Sequence, residues 1–393
     1  MQNNNSHIKV SQISIGRFHH FHLARQLERY GILNKIYTGY PKFKLKDERG
    51  INQNKVITFP WLQTPYMMRG KFGLDNWQWL DRELAWQAKE SLDKYVAKRL
   101  RDETHLIALS SVGLHSGKTI KDRGGVYICD RGSSHIQYQN NILQQEYKNY
   151  GFHFKGIDPR VIHKELEEYE LADYITVPSE FVKKSFIEMG VRESKIIKLP
   201  YGARLDRFSK IDEPSKDIFR VLWVGGVSIR KGFMYAFEAF KRLRYHRKEF
   251  VVIGAISQEV KSLLSKIDTS EVIFKGLIDN AKLVEQYSQA SVFVLPSLEE
   301  GLAMVQGEAL SCGCPVIASD NTGASDLFEN GKDGFIIPIR DIHQLTDKIQ
   351  LLADNPKLRS EMSNNAINRM KSLGGWDNYG DGIYKFLIKE FYR

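Results

Sequence analysis

Apolar positions along the chain fall into two successive series, in which short strand-like runs alternate with stretches of helical spacing. In the first series the strand His7–Ser14 leads through Gly16 into a helical pattern, His19–Tyr30, closed by Gly31. Further strands are predicted at Asn34–Tyr37, Thr104–Leu109, Val126–Cys129 and Tyr174–Val177. A long amphipathic helix is predicted over Asn76–Leu100, and others near 135–150 and 158–171. The second series begins at Phe219, with strands Arg220–Val224, Phe250–Ile253, Val272–Phe274, Val292–Leu295 and Val316–Ala318, each pair separated by a helical pattern. Between the two lies Ser209–Asp217, polar and containing Pro214, which reads as a linker. There is no internal repeat and no low-complexity tract. Two such series imply an α/β protein with two doubly wound parallel sheets, a first domain over 1–208 and a second over 218–375. Ligands of open parallel sheets bind beyond the carboxyl ends of the strands, so two sheets facing each other make a cleft.

The most informative run is VFVLPSLEEGLAMVQGEALSCGCPVIAS, Val292 to Ser319. A buried strand ends at Pro296 and Ser297, and apolar spacing predicts a helix over Leu302–Leu310 that carries Glu308. The N–H groups of its first turn, with the positive end of the helix dipole behind them, suit phosphate or sugar oxygens just after Gly301, where a glycine lets a ligand approach the backbone. A second loop, Val224 to Gly232, places Arg230 and Lys231 before another helix, where two cations would attract a diphosphate and offset the charge growing on a departing nucleotide. A third loop, Ser14-Ile15-Gly16-Arg17, follows the first strand and opens onto His19, His20 and His22; that histidine cluster lacks carboxylate support in the sequence and reads as structural or solvent-facing more readily than as a metal site.

Glu300-Gly-Leu-Ala-Met-Val-Gln-Gly-Glu308, with its Pro-Ser, Glu-Ala-Leu, Cys-Gly and Pro-Val-Ile flanks, resembles the E-x7-E signature of the retaining, GT-B-fold glycosyltransferases of family 4. The resemblance extends over Glu167–Phe208, through Ala172-Asp-Tyr174, Val177-Pro-Ser179 and Leu199-Pro-Tyr-Gly202, and it is loose over 40–125. It implies transfer of a hexosyl-type sugar from a nucleotide-diphosphate sugar to a glycan or lipid-linked acceptor, in cell-surface polysaccharide synthesis. On this resemblance Gly16 approaches the donor phosphates, as do Arg230, Lys231 and the amides of Leu302, Ala303, Met304 and Val305. Glu300 orients the sugar or balances its positive charge, Glu308 accepts hydrogen bonds from the ribose, and Gly276 and Leu277 belong to the segment that reads the base. The terminal segment from Trp376 resembles the last helix of the fold, which returns to the first domain over 376–393. This chain departs from the family in three places: Gly226 stands where many members have Arg, Arg204 where many have Asp, and Cys129-Asp130-Arg-Gly-Ser-Ser-His135 where many have a sugar-contacting His. Asp130, His135 and His19 are therefore the acceptor-side candidates. No Asp-x-Asp lies near the cleft loops, so no metal and no other cofactor is expected. The rival reading within the same fold is a nucleotide-sugar epimerase or an inactive nucleotide-sugar-binding partner.

Composition narrows the setting. The 393 residues carry a net charge of +10, and the excess lies in the first half: 33 Lys and Arg against 23 Asp and Glu over residues 1–208, but 24 against 24 beyond. Basic clusters at Lys42-Phe-Lys44-Leu-Lys46, Arg69-Gly-Lys71 and Lys118 to Arg123 share this half with Trp61, Tyr66, Met67, Met68, Phe72, Trp77, Trp79 and Trp86. The mixture suits an anionic membrane surface or acceptor, while a solvated basic face over aromatic core residues would give the same composition. No recognition motif accompanies the charge, which argues against nucleic acid. The N-terminus lacks the apolar core of a signal peptide and no stretch is long and apolar enough to span a bilayer, so a cytoplasmic location, peripheral at the inner membrane face, is expected. Cys129, Cys312 and Cys314 imply no disulfide framework, and the close pair reads as two small buried residues at a helix end. Val112 to Thr119 resembles a phosphate-binding GxxxxGK[ST] loop, but with Val112 where Gly is required an NTPase is not expected.

Overall fold

The computed structural model describes residues 8–17, 19–73, 77–202, 207–373 and 375–391. His7, Asn76 and Arg204, which enter the expectations above, lie outside the described residues, as do 392–393 of the terminal helix.

The first half comprises β1 (Val10–Ser14), α1 (His20–Arg29), β2 (Leu33–Thr38), β3 (Val56–Thr58), α2 (Gln63–Met68), α3 (Gln78–Ala97) and β4 (His105–Leu109). It continues with α4 (Leu114–Asp122), β5 (Val126–Asp130), α5 (Ile136–Asn149), α6 (Pro159–Leu171), β6 (Tyr174–Val177), α7 (Glu180–Glu188) and β7 (Ile196–Lys198). The second half runs β8 (Phe219–Val224), α8 (Phe233–Arg242), β9 (Lys248–Ile253), α9 (Gln258–Leu264), β10 (Val272–Gly276), α10 (Asn280–Ser288) and β11 (Val292–Leu295). Then follow α11 (Met304–Ser311), β12 (Val316–Ser319), β13 (Gly334–Ile337), α12 (Ile342–Asp354), α13 (Pro356–Leu373) and α14 (Trp376–Phe391).

All strand pairs are parallel, in a seven-stranded sheet of order β3-β2-β1-β4-β5-β6-β7 and a six-stranded sheet of order β10-β9-β8-β11-β12-β13. Every residue of β1, β11 and β12 is buried, because helices cover both faces of each sheet and leave no side for polar residues to alternate onto. Strand order reverses at β1 and β4 in the first sheet and at β8 and β11 in the second. The two loops that carry Arg230, Lys231 and Glu300 leave β8 and β11, and so flank the crevice of the second sheet.

Eight of the described elements had no counterpart in the periodicity: β3, α2, α4, α7, β7, β13, α12 and α13. Each strand has only three or four residues and lies at a sheet edge, too short to show a period. The helix α4 replaces the phosphate-loop-like run; its Gly117 faces Tyr127 so closely that a Cβ there would meet that ring at 2.7 Å, and Ser116 and Gly117, being small, mask the apolar stripe. The helix expected from Leu302 begins at Met304, because Ala303 is extended and donates its N–H to Thr322 O at 3.1 Å.

The last helix packs on the first half. Tyr379, Ile383 and Leu387 are buried in one cluster with Val10, Phe21 and Ile36, and Tyr384 stacks on Tyr30 at 3.8 Å. Tyr30 Oη donates to Asp381 at 2.6 Å, and a Cβ at Gly202 would fall 2.3 Å from the backbone nitrogen of Trp376. Leu387→Ala is expected to cost about 2–5 kcal/mol through transfer and cavity terms. Lys385→Ala, at an exposed position of the same helix, should change stability by less than about 0.5 kcal/mol. Thermal melting of the two variants checks this.

Candidate active site

The strand β8 ends at Val224, and the chain turns through Gly225 (φ +132°) to Gly232 (φ +71°), where a Cβ would lie 2.0 Å from Pro296 O. Only glycine allows the β8 and β11 loops to approach this closely. Leu298 N–H donates to Arg230 O at 2.9 Å and ties the two loops together. Lys231 Nζ then lies 2.7 Å from Glu300 Oε1 and Arg230 guanidinium 3.3 Å from the same oxygen. These three side chains are mostly shielded from solvent, so the cluster is more strongly coupled than a surface pair. Burial acts to lower the Arg230 pKa, but Glu300 and Glu299 outweigh it and hold it above the ordinary value.

Glu308, on α11, lines a cavity of about 560 Å³ whose walls include Phe208, Asn280, Val284, Met304 and Trp376. Its carboxylate accepts from Tyr287 Oη at 3.1 Å; burial pushes its pKa up and that hydrogen bond only partly offsets the shift. Gly276 (φ +64°) and the exposed Leu277 lead into α10, which forms one wall of the same cavity. Of the four amides expected to face a ligand, that of Ala303 is spent on Thr322 O. Among the described residues no acceptor takes the N–H groups of Leu302, Met304 and Val305, which therefore stay available beside Gly301.

On the first sheet, His19 and Asp130 come together. His19 Nε2 is 2.6 Å from Asp130 Oδ2, its ring stacks on Tyr201 at 4.2 Å, and Thr176 Oγ1 donates to the other carboxylate oxygen at 2.7 Å. Burial acts to raise the Asp130 pKa, but His19, His20 and Thr176 outweigh it and hold it at about 2. The histidine cluster thus has the carboxylate support that the sequence lacked, a correction that follows from β5 ending beside the start of α1. Among the described residues, His19, His20 and Asp130 are the one group whose ligating atoms all lie within 4.8 Å. The 2.6 Å contact is a charge-assisted hydrogen bond, shorter than the roughly 3 Å that separates two ligands of one ion. His135 is elsewhere: it caps α5, accepting from Gln137 N–H at 3.2 Å, with its ring between Tyr169 and Phe186. Gly16 is buried after β1, its carbonyl accepting from Ser14 Oγ at 2.8 Å.

Sequence reasoning missed Glu299. This fully buried carboxylate accepts from Ser133 Oγ at 2.5 Å, Ser134 N–H at 2.9 Å and Gln139 Nε2 at 2.9 Å, all from the first half. Burial would raise its pKa, but Arg230 and these donors outweigh that and leave it lowered. Gly301, two residues on, sits so close to Gly132 O that a Cβ would meet it at 1.8 Å, and Ser179 Oγ donates to Gly301 O at 2.6 Å. A second bridge joins Glu146 of α5 to Arg340 at 2.6 Å and to Tyr235 Oη at 2.5 Å. The doubled Glu299-Glu300, opposite the Ser133-Ser134 pair, was the signal available in the sequence. The phosphate-loop-like run is already filled: Asp93 accepts from the N–H groups of His115 and Ser116, and Glu168 from that of Gly113, so carboxyl groups occupy the start of α4. Cys312 and Cys314 are buried at the end of α11.

Residues 206–369 match the family Glycosyl transferases group 1, and the chain carries that domain. The capsular polysaccharide biosynthesis glycosyltransferase CapM of Staphylococcus aureus is 27% identical over 243 residues, 56% of this chain and 62% of that protein. The N,N'-diacetylbacillosaminyl-diphospho-undecaprenol alpha-1,3-N-acetylgalactosaminyltransferase of Campylobacter jejuni is 27% identical over 204 residues, 47% of this chain and 54% of that protein. The chain thus spans little more than half the length of these curated relatives. Among solved structures, HepE of Anabaena in complex with UDP and glucose superposes with a TM-score of 0.69 at 15% identity, over 98% of this chain and 100% of that one. Sucrose-phosphate synthase of Thermosynechococcus elongatus gives 0.68 at 19% identity, over 98% and 99%. The fold is that of the GT-B proteins, with two Rossmann-like domains.

Burial holds three imidazoles neutral: His20 at about 3, with His19 adding to the depression and Asp130 opposing it, and His105 and His135 each at about 4. The unfolded chain takes up these protons below 6.5, the ordinary value, and the folded chain does not. Their contribution is complete above pH 6.5 and is lost as the pH falls towards 4 and 3, by up to roughly 1.4 kcal/mol per pH unit for each group. The melting midpoint should fall on acidification from pH 6.5, and His20→Leu should flatten that slope.

Proposed function

We propose that the chain is a retaining glycosyltransferase of family 4 that moves a hexosyl-type sugar from a nucleotide-diphosphate sugar to a glycan or lipid-linked acceptor in cell-surface polysaccharide synthesis, on the cytoplasmic side of a membrane. The observation that carries this reading is the cluster of Lys231, Arg230 and Glu300, held at 2.7 and 3.3 Å on the two loops that flank the strand-order reversal of the second sheet. Glu300 lies in the loop that leads into α11, and Glu308 on that helix lines the cavity. The similarity to CapM and to the Campylobacter transferase supports the class of acceptor, and the structure of HepE with UDP and glucose supports the class of donor.

In this reading the ribose hydroxyls donate to Glu308, and the diphosphate lies against the amides of Met304 and Val305 and between Lys231 and Arg230. As the bond between the anomeric carbon and the phosphate oxygen breaks, negative charge grows on the leaving phosphate, where two fixed cations already stand. Glu300, released from Lys231 by the incoming phosphate, faces the positive charge spreading over the sugar ring. The acceptor oxygen forms its bond to the anomeric carbon on the face that the phosphate leaves, and its proton passes to the departing phosphate oxygen. His19, oriented by Asp130, is positioned for a sugar or phosphate oxygen on the first-domain side. The two cations carry the neutralising charge, and no metal ion is assigned a step.

A panel of UDP-, GDP-, ADP- and dTDP-sugars tests the reading. One donor should raise the melting midpoint by mass action. Glu308→Ala should weaken that donor about 10- to 100-fold, the worth of a charge-assisted hydrogen bond. Transfer should give a product with the anomeric configuration of the donor and should survive EDTA. Release of an altered nucleotide sugar without acceptor would favour an epimerase, and no stabilisation by any donor would favour an inactive partner.

A further inference from the structure

We infer that the loops following β2 and β3, together with the start of α3, form a docking surface for an anionic lipid bilayer. Among the described residues, every exposed Trp or Phe falls between Phe43 and Trp79: Phe43 is 61% exposed, Trp61 74%, Trp77 61% and Trp79 68%. Of the other three tryptophans, Trp223 is fully buried and Trp86 and Trp376 are half-buried. Met67 and Met68 are exposed in the same segment, whereas the exposed large hydrophobics elsewhere are Leu and Ile scattered over both halves. Aromatic area concentrated in this way marks an interaction surface, and tryptophan in particular settles at the headgroup level of a bilayer.

The topology gathers these residues at one end. Ser14, Thr38 and Thr58 are in register at the carboxyl ends of β1, β2 and β3, so the loops carrying Phe43 and Trp61 leave the sheet beside the Gly16 loop. The helix α2 lies over the end of β2, with Gln63 against Gly39, and packs on α3, and Arg69 pairs with Asp81. Because α3 runs back to the start of β4, its first residues, Trp77 and Trp79, lie at this same end.

Charge selects the partner. Residues 42–82 hold eight Lys and Arg against four Asp and Glu. Glu48 is buried against Arg17 and Arg25, and Asp81 is neutralised by Arg69, while Lys42, Lys44, Lys46 and Lys71 are exposed among the aromatic residues. Cations beside interfacial tryptophans match anionic headgroups over an apolar layer. The docked face lies at the carboxyl ends of the strands, as the cleft does, so a lipid-linked acceptor would enter from the bilayer directly. That last consequence rests on the function proposed above; the docking itself does not.

Sedimentation with vesicles of equal parts phosphatidylglycerol and phosphatidylcholine, against phosphatidylcholine alone, tests it on the full chain. Binding to the anionic vesicles only, reduced by salt, is expected. The double variant Trp61→Ala, Trp79→Ala should lose about tenfold or more of the partitioning, and Ile267→Ala, at an exposed position of the second half, should lose none. Donor-induced stabilisation, measured in parallel, shows that the variant is folded and keeps failure of the docking distinct from failure of the donor site. Absence of binding at low salt, or equal binding by the double tryptophan variant, would overturn the proposal.

Discussion

Two consecutive carboxylates organise this molecule. Glu299 points into the first half and Glu300 into the second, and neither arrangement is affordable without its partners. A fully buried carboxylate is costly unless it is paired and hydrogen-bonded. Glu299 meets that condition with Ser133, Ser134, Gln139 and the nearby Arg230. The backbone that it fixes then presents Glu300 to Lys231 and Arg230. Closure of the two domains and placement of the cationic cluster are therefore set by neighbouring residues of one loop. Asn321 braces that loop from behind, accepting from Glu300 N–H at its carbonyl and donating to Leu298 O at 2.9 Å.

The glycines of this region have the same logic. Gly301 against Gly132 O, and Gly232 against Pro296 O, leave no room for a Cβ, so the loops from three strands close to backbone contact. Such contact brings the dipolar backbone, two cations and two carboxylates into a space with little water, where each charge counts for more than it would on a surface. The bridge of Glu146 to Arg340 and Tyr235 holds α5 across the two halves at a second point. Arg340 takes a left-handed backbone conformation (φ +64°), unfavourable for a residue with a Cβ and sustained here by its partners.

Much of this was legible in the sequence, and the reasons are specific. Central strands such as Val292–Leu295 and the Val221–Val224 part of β8 announce themselves by continuous apolar runs next to clear turn signals, and the spacing of Glu300 to Glu308 fixes which loop and helix follow. The short edge strands carry too few residues for a period, and α4 hides behind its small residues. Contacts between elements far apart in sequence leave no local trace: His19 meets Asp130 from 111 residues away, and Glu299 meets Ser133 from 166. The phosphate-loop-like run misleads for the converse reason. Its local pattern resembles an anion site, while Asp93 and Glu168, brought by the fold, already fill the helix start.

Lys231 and Arg230 engage Glu300; in the function proposed above a donor diphosphate lies against the same two cations, so the carboxylate competes with phosphate for them. Calorimetric titration of nucleoside diphosphate into wild type and Glu300→Gln, with transfer measured alongside, addresses this directly. Removing the charge should leave nucleoside diphosphate bound as tightly as before or up to about tenfold more tightly, while transfer falls by about 100-fold or more. A glutamine variant that transfers sugar normally, or that no longer binds nucleoside diphosphate, would contradict the role given to this cluster.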